Sequence, residues 1–449
     1  MKKLGKIIGL ILVFLSLAPN VSAAEYYFNP HFIITEDDMF DHDSMNLTDI
    51  QGFLERKGSA LAFKSFPDFS GVTRKASEII WQAARESFVN PKVLLVTLQK
   101  EQSLIEDPNP SLSQYDKATG YRCPDGGSCN PKAAGFGKQV DGLAWQLRQY
   151  YDNPNDWFFK VGNEYSIDGY FITPVNQATA NLYNYTPHYS GNLSFWRIWQ
   201  KYFGKDFPDG SLLKASNSPD VWLIKYGTKR RIESWGALIS RFDPKKIITV
   251  SATDLEKYET GPAIKFRNYS LLALPDGKTY LVVGDELRYI TSPEVFRIIG
   301  FNPEEIELVD ESDLAGYKFG SDITTETAYP TGALLQHNQT GGVYFVENAV
   351  KYPIYSKEIM KANFPNRVLT QVSPEILDQY PGGAPVRFKD GEIIKAFDDP
   401  RVYVIADGHR VWIKDAESFA NFGYRWDNII ATSQKAVDLH PLGDVIELN

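Results

Sequence analysis

Two patterns in one chain predict a multidomain protein, with an all-α N-terminal domain followed by a β-rich domain of four repeats. From Asn29 to Gly204 the apolar residues recur at helical spacing. Beyond Gly210 they alternate in short runs between turn residues, and that pattern returns four times. Between the two lies "GKDFPDG", Gly204 to Gly210, which joins a helix stop, a proline and turn residues as a domain boundary does. The expected boundaries are 1–23 for an export signal, 29–204 for the helical domain, 205–209 for the linker and 210–449 for the repeats.

The export signal is read from Lys2, Lys3 and Lys6, the apolar run "IIGLILVFLSL" and the small residues "VSA", with cleavage expected after Ala23. The run is too short to span a bilayer comfortably. A secreted or cell-surface location follows. In an oxidising compartment Cys123 and Cys129, which flank "PDGGS", form a local disulfide. A net charge of -9 argues against a nucleic-acid partner, whereas 14% aromatic residues leave room for sugar stacking as well as for cores.

In the helical domain, "MNLTDIQGFLERKG" sets Leu47, Ile50, Phe53 and Leu54 on one face and stops at Gly58. "TRKASEIIWQAARESF" reads as a helix capped by Thr73. "NPKVLLVTLQKEQSLI" follows, with Asn90 as cap and Pro91 in the first turn, where a missing N–H costs nothing. At about 100° per residue Leu94, Leu98 and Ile105 form a stripe, and Glu101 falls within it. "KQVDGLAWQLRQYY", "PVNQATANLYNYTPH" and "SFWRIWQKYFG" complete the set, the last ending on Gly204.

Each repeat, of about 55–60 residues, opens on "GSLL", "YSLL", "GALL" or "GEII" and continues as three short strands, a short helix, an apolar strand and a helical turn. Such units must stack to bury enough surface. They point to the blades of a small β-propeller, with a linear array as the alternative. The recurring Arg231, Tyr289, Tyr352 and Trp412 read as structural spokes.

Chemistry is reached by elimination. The six histidines make no H-E-x-x-H or Cys/His ligand set, so no metal or other cofactor is expected. That also removes the zinc form of an amidase cutting peptide stems. There is no G-x-S-x-G elbow and no phosphate loop, and "EDDMFDHD" lacks the Ca²⁺-loop pattern and reads as a solvated cap. Carboxylate chemistry remains. A Glu buried in an apolar wall can hold the proton that a leaving glycosidic oxygen needs, and Glu101 has that placement. The same position also fits a core Glu hydrogen-bonded to a neighbour, or a helix rotated so that Glu101 reaches solvent.

"NPKVLLVTLQKEQSLI" resembles the catalytic helix of lysozyme-superfamily murein hydrolases, the soluble lytic transglycosylases and endo-β-N-acetylglucosaminidases, with Gln102 and Ser103 where that pattern usually has Ser directly after the Glu. The resemblance implies a lysozyme-like fold with Glu101 as general acid. It carries "NLYNYTPH" over to a cleft-lining Tyr-Asn segment, so that Tyr183, Asn184 and Tyr185 hold the N-acetyl group or support the oxocarbenium face, although they also read as a helix end packing on "FWRIW". Ser103, Tyr121, Phe136, Gln139 and Gln177 are the further substrate-binding candidates it implies, Phe136 and Gln139 from the glycine-lined "AGFGKQV". Glu86, Asp107, Asp116 and Asp141 compete for the role of second carboxylate. The expected function is that of an exported peptidoglycan glycan-strand hydrolase or lytic transglycosylase, with the repeats anchored to envelope polymer or protein. The alternative is a wall-binding protein or adhesin that holds glycan without cutting it.

Overall fold

The computed structural model describes residues 28–124 and 128–446, so the expected export signal lies outside the described residues. The head comprises α1 (Glu36–Phe40), α2 (Leu47–Arg56), β1 (Ser65–Pro67), β2 (Thr73–Lys75), α3 (Ala76–Ser87), α4 (Pro91–Gln102), α5 (Leu112–Asp116), α6 (Phe136–Asp152), β3 (Tyr165–Ile167), β4 (Tyr170–Ile172), α7 (Gln177–Tyr185) and α8 (Tyr189–Phe203). One core unites them, with Phe53, Ile80, Leu94, Leu98, Phe136, Leu147, Tyr183 and Phe195 all buried.

The expected helices form, but the head is not all-α. Thr73 does not cap α3. It pairs with Pro67 in the β1–β2 hairpin, and the cap of α3 is Lys75, two residues on, whose N–H donates to Glu78. A second hairpin, β3–β4, lies between α6 and α7. At about 35% helix and 22% strand in several sheets, the chain is mixed α/β, which overturns the all-α, lysozyme-like fold class.

After Gly204 the chain forms four modules. The first holds β5 (Leu212–Ala215), β6 (Val221–Lys225), β7 (Thr228–Ile232), α9 (Trp235–Ile239), β8 (Ile248–Val250), α10 (Ala252–Glu256) and β9 (Glu259–Thr260). Its sheet runs β8-β5-β6-β7-β9, with an antiparallel meander in the centre and a parallel strand at each edge. Parallel neighbours need a crossover, which the short helices supply. The second and fourth modules repeat this order, while the third keeps four strands and reduces the last pairing to a bridge between Lys351 and Gly382.

A propeller blade is a four-stranded sheet set around a central channel. These modules are instead separate mixed sheets, and among the described residues no closed barrel or propeller forms. The aligned spokes are corrected by one residue. Arg231, Tyr289 and Trp412 face Trp222, Tyr280 and Tyr403 across the hairpin, whereas Pro353, not Tyr352, is their counterpart in the third module.

Each module opens on a residue of positive φ: Gly210 (89°), Tyr269 (72°), Gly332 (76°) and Gly391 (85°). Neighbouring modules pack through Arg230 to Asp285 (2.7 Å), Arg288 to the Pro330 carbonyl (2.7 Å) and Asn363 to the Arg387 carbonyl (2.7 Å). The fourth also packs on the first, through Lys225 to Asp390 (2.7 Å) and a shared core of Phe207, Leu213, Ile224, Val404 and Phe419. The head docks on α10 of the first module. Asp38, at the start of α1, accepts from the Thr253 hydroxyl, and the buried Lys257 ammonium reaches Asp206 at 2.7 Å.

Candidate functional site

Glu101 stands at the end of α4. Asn90 caps that helix through the Lys92 N–H (2.9 Å) and ties it to α1 by donating to the Asp38 carbonyl (2.7 Å). Ser103 ends it in the left-handed region, at φ 55°. Leu94 and Leu98 are fully buried behind the Glu101 side chain, but that side chain does not join them. It is 26% exposed, and its Oε1 lies 2.7 Å from the Lys100 ammonium, itself only 8% exposed. Lys100 is held in turn by the Thr186 hydroxyl at 2.7 Å.

The second oxygen faces the loop that begins at Thr119. Gly120 has φ +75°, and a Cβ placed there would sit 3.2 Å from Glu101 Oε2. Glycine at this position therefore supplies both the left-handed turn and the room for the carboxylate. Gln139 fixes the loop from beneath. Its Oε1 accepts from the N–H groups of Thr119 (3.3 Å) and Tyr121 (3.0 Å), and its Nε2 donates to the carbonyls of Tyr121 (2.9 Å) and Ala133 (2.8 Å). Tyr185 donates to the Thr119 carbonyl at 2.9 Å. Burial raises its phenol well above the ordinary range, and the Glu101 charge adds to that. The Tyr121 ring packs on Gly142, where a Cβ would come within 2.2 Å of it, and the Arg122 guanidinium lies over the ring at 5.3 Å.

Of the candidates read from sequence, Glu101, Tyr121 and Tyr185 converge here, with Gln139 supporting them. Gln139 is buried and its side chain is taken up by backbone groups and by the Thr119 hydroxyl, which donates to its Oε1 at 3.3 Å, so it positions the loop and presents nothing to a ligand. Phe136 is buried against Phe66, with ring centres 4.5 Å apart. Tyr183 is fully buried and donates to the Pro30 carbonyl (3.1 Å), and burial raises its phenol. Asn184 exchanges two hydrogen bonds of 2.9 Å with the Phe159 backbone. Gln177 bonds Asn181 at 2.8 Å, and Ser103 is an exposed helix cap. Lys100, Thr119, Gly120 and Thr186 were missed. Lys100 adjoins Glu101 in sequence, but nothing local signals the return of residues 119–120 or of Thr186.

Two of the competing carboxylates are engaged elsewhere. Glu86 accepts from Gln82 Nε2 at 2.7 Å. Asp107 accepts from Gln114 Nε2 at 3.0 Å, which holds its carboxyl below the ordinary range. Asp141 is raised by burial, with the charges of Glu86 and Asp68 adding. The Cys123–Cys129 disulfide is formed, with Cys123 two residues after Tyr121. Among the described residues no three His, Cys, Asp or Glu side chains are grouped to hold a metal ion, and no helix is long and apolar enough to cross a membrane.

Against known proteins, residues 32–210 match the family described as "LasA, N-terminal domain". No curated relative matches the chain. Two solved structures are similar at a TM-score of 0.14: the periplasmic assembly from the ESX-5 inner membrane complex (15% identity, 54% of this chain and 68% of that one) and an intact ESX-5 inner membrane complex (10% identity, 56% and 83%). Likeness at that score carries no argument. The match to the LasA domain spans the whole stretch that resembled lysozyme-superfamily hydrolases and overturns that resemblance. An Asn-Pro start and an apolar stripe are general features of helix beginnings and do not identify a fold. Glycosidase activity loses its support, and what stands is the coarser reading of an exported, extracytoplasmic protein associated with the cell wall.

Proposed function

We propose that the protein is a non-cleaving cell-wall-binding protein whose head takes peptidoglycan at the face formed by Glu101, Lys100, Gly120 and Tyr121. One observation carries this reading. Glu101 lies on an open face as half of an ion pair with Lys100, without the apolar enclosure that general-acid chemistry draws on. A carboxylate, an ammonium and a threonine hydroxyl together offer acceptors and donors to hydroxyl and amide groups of a wall glycan, and the Tyr121 ring beside them offers an apolar edge. The match of residues 32–210 to the LasA N-terminal domain supports peptidoglycan as the partner.

Co-sedimentation of the full chain with purified sacculi tests this. Wild type is expected to pellet with the wall, and Gly120→Ala, which presses on Glu101, and Tyr121→Ala are expected to bind at least about tenfold more weakly, a loss of about 1.4 kcal/mol. Reducing ends, anhydro-sugars or new amino groups in the supernatant would overturn the non-cleaving reading. Equal binding by both variants would overturn the site.

A further inference from the structure

A cavity of about 550 Å³ opens where the first three modules meet, far in sequence from Glu101. Its walls are the hairpin turns after Lys225, Val283 and Glu347, closed on one side by Pro262 and Gly316. Gly316, at φ +88°, lets its segment lie on Pro262, since a Cβ there would come within 2.3 Å of the proline ring. Its volume lies in the range of small-molecule sites, about 300–1,000 Å³.

The charges lining it divide into two groups. Lys225 is paired with Asp390 and Arg230 with Asp285, each at 2.7 Å, and these pairs neutralise one another. Four charges remain: Arg288 and Lys318 against Glu286 and Glu347. Arg288 is 2% exposed, and its Nε and Nη1 donate to the carbonyls of Ser321 (3.0 Å) and Pro330 (2.7 Å). Its Nη2 makes no hydrogen bond among the described residues, and neither Lys318, Glu286 nor Glu347 has an ion-pair partner there. Burial raises the Glu347 carboxyl, which the Arg288 charge opposes. Gly320 leaves room for the Glu286 carboxylate, since a Cβ there would lie 2.5 Å from its Oε2.

We infer that this cavity is a binding site for a small zwitterion, an amino acid or short peptide whose carboxylate meets Lys318 and Arg288 and whose ammonium meets Glu286 and Glu347. A polyanion would face the two glutamates and a polycation the two basic groups, whereas a ligand with one charge of each sign satisfies both. Arg288 is buried and Glu347 half-buried, and a charge withdrawn from water is costly unless paired. This ligand class pairs both, with the exposed Lys318 and Glu286 completing the contacts at the rim. The inference does not depend on the head's function.

Isothermal titration of the full chain with diglycine, N-acetyl-diglycine and diglycine amide tests it. Diglycine is expected to bind at one site with Kd at or below about 1 mM, and each capped analogue at least about tenfold more weakly. Glu347→Gln and Lys318→Met should each lower the diglycine affinity about tenfold while keeping the melting temperature within about 2 °C. Lys318 is exposed at a strand end, so its variant leaves the fold intact should Glu347→Gln destabilise it. Equal binding of the amide would assign the site to cations, equal binding of the acetylated form to anions, and no saturation by about 10 mM would leave no site. Each of these results overturns the inference.

Discussion

The contact between the first and fourth modules rests on two glycines that touch. At Gly210 an added Cβ would lie 2.2 Å from the Asp390 carbonyl carbon, and at Gly391 it would lie 2.4 Å from the Gly210 carbonyl oxygen. Both positions have positive φ, 89° and 85°, so alanine meets an unfavourable backbone as well as a clash. The backbone term is roughly 1–2 kcal/mol. The clash is with main chain and cannot be relieved by a side-chain rotation. Relief means drawing the modules apart, which loosens the Lys225–Asp390 pair and the core shared by Phe207, Leu213 and Val404. Together these effects should cost about 3–5 kcal/mol for either Gly210→Ala or Gly391→Ala. One separation relieves both clashes, so the double variant should lose at least about 1 kcal/mol less than the sum of the singles. Urea unfolding followed by tryptophan fluorescence measures all three. Losses under about 1 kcal/mol, or additivity within about 0.5 kcal/mol, would show that the two glycines are not in tight contact.

Gln139→Ala leaves four backbone groups of the Thr119–Ala133 region without their partner and should cost about 3–5 kcal/mol in chemical denaturation. A loss below about 1 kcal/mol would mean that the loop stands without it. Cys123→Ser opens a loop with a sequence separation of 6 and should lower stability by about 2 kcal/mol, read from denaturation of oxidised wild type and variant; labelling of both thiols in native exported protein would contradict the disulfide. Burial raises the Asp254 carboxyl above the ordinary carboxylate range, with Lys257 and Lys205 opposing. A folded-state pKa above the unfolded one gives stability that is fully present below the unfolded pKa and is lost as pH rises through the folded value. Asp254→Asn should therefore gain on wild type from pH 4 to pH 7 in thermal melts, and a constant difference between them would refute the sign.

Local rules carried the sequence reading as far as they reach. Asn90 and Pro91 start α4 because a cap and a proline satisfy the first turn wherever it lies. The four openings "GSLL", "YSLL", "GALL" and "GEII" fall in register because each module needs one residue of positive φ at that point. Tyr269 fills it without being glycine, and Arg367 stacks on its ring at 5.3 Å. The errors arise where the partner is distant. "EDDMFDHD" reads as solvated, yet Asp38 meets Thr253, 215 positions away. The parallel edge strands, such as the two-residue Glu259–Thr260, are too short to show a period and exist because β7 offers an open edge.

Glu101 shows the same limit at the candidate site. The stripe of Leu94 and Leu98 points to Glu101's side of α4, but the helix stops at Gln102, the Glu101 side chain stays partly exposed, and Lys100 and Gly120 decide the surroundings of the carboxylate. Periodicity says which way a side chain leaves its helix, while its chemistry depends on residues brought back from elsewhere in the chain. The stripe and the cap recur in any amphipathic helix, so they could not separate a lysozyme-like head from the domain that residues 32–210 match. A motif that could have separated them would have had to include a residue whose role is nonlocal, as Gly120 and Gln139 are here.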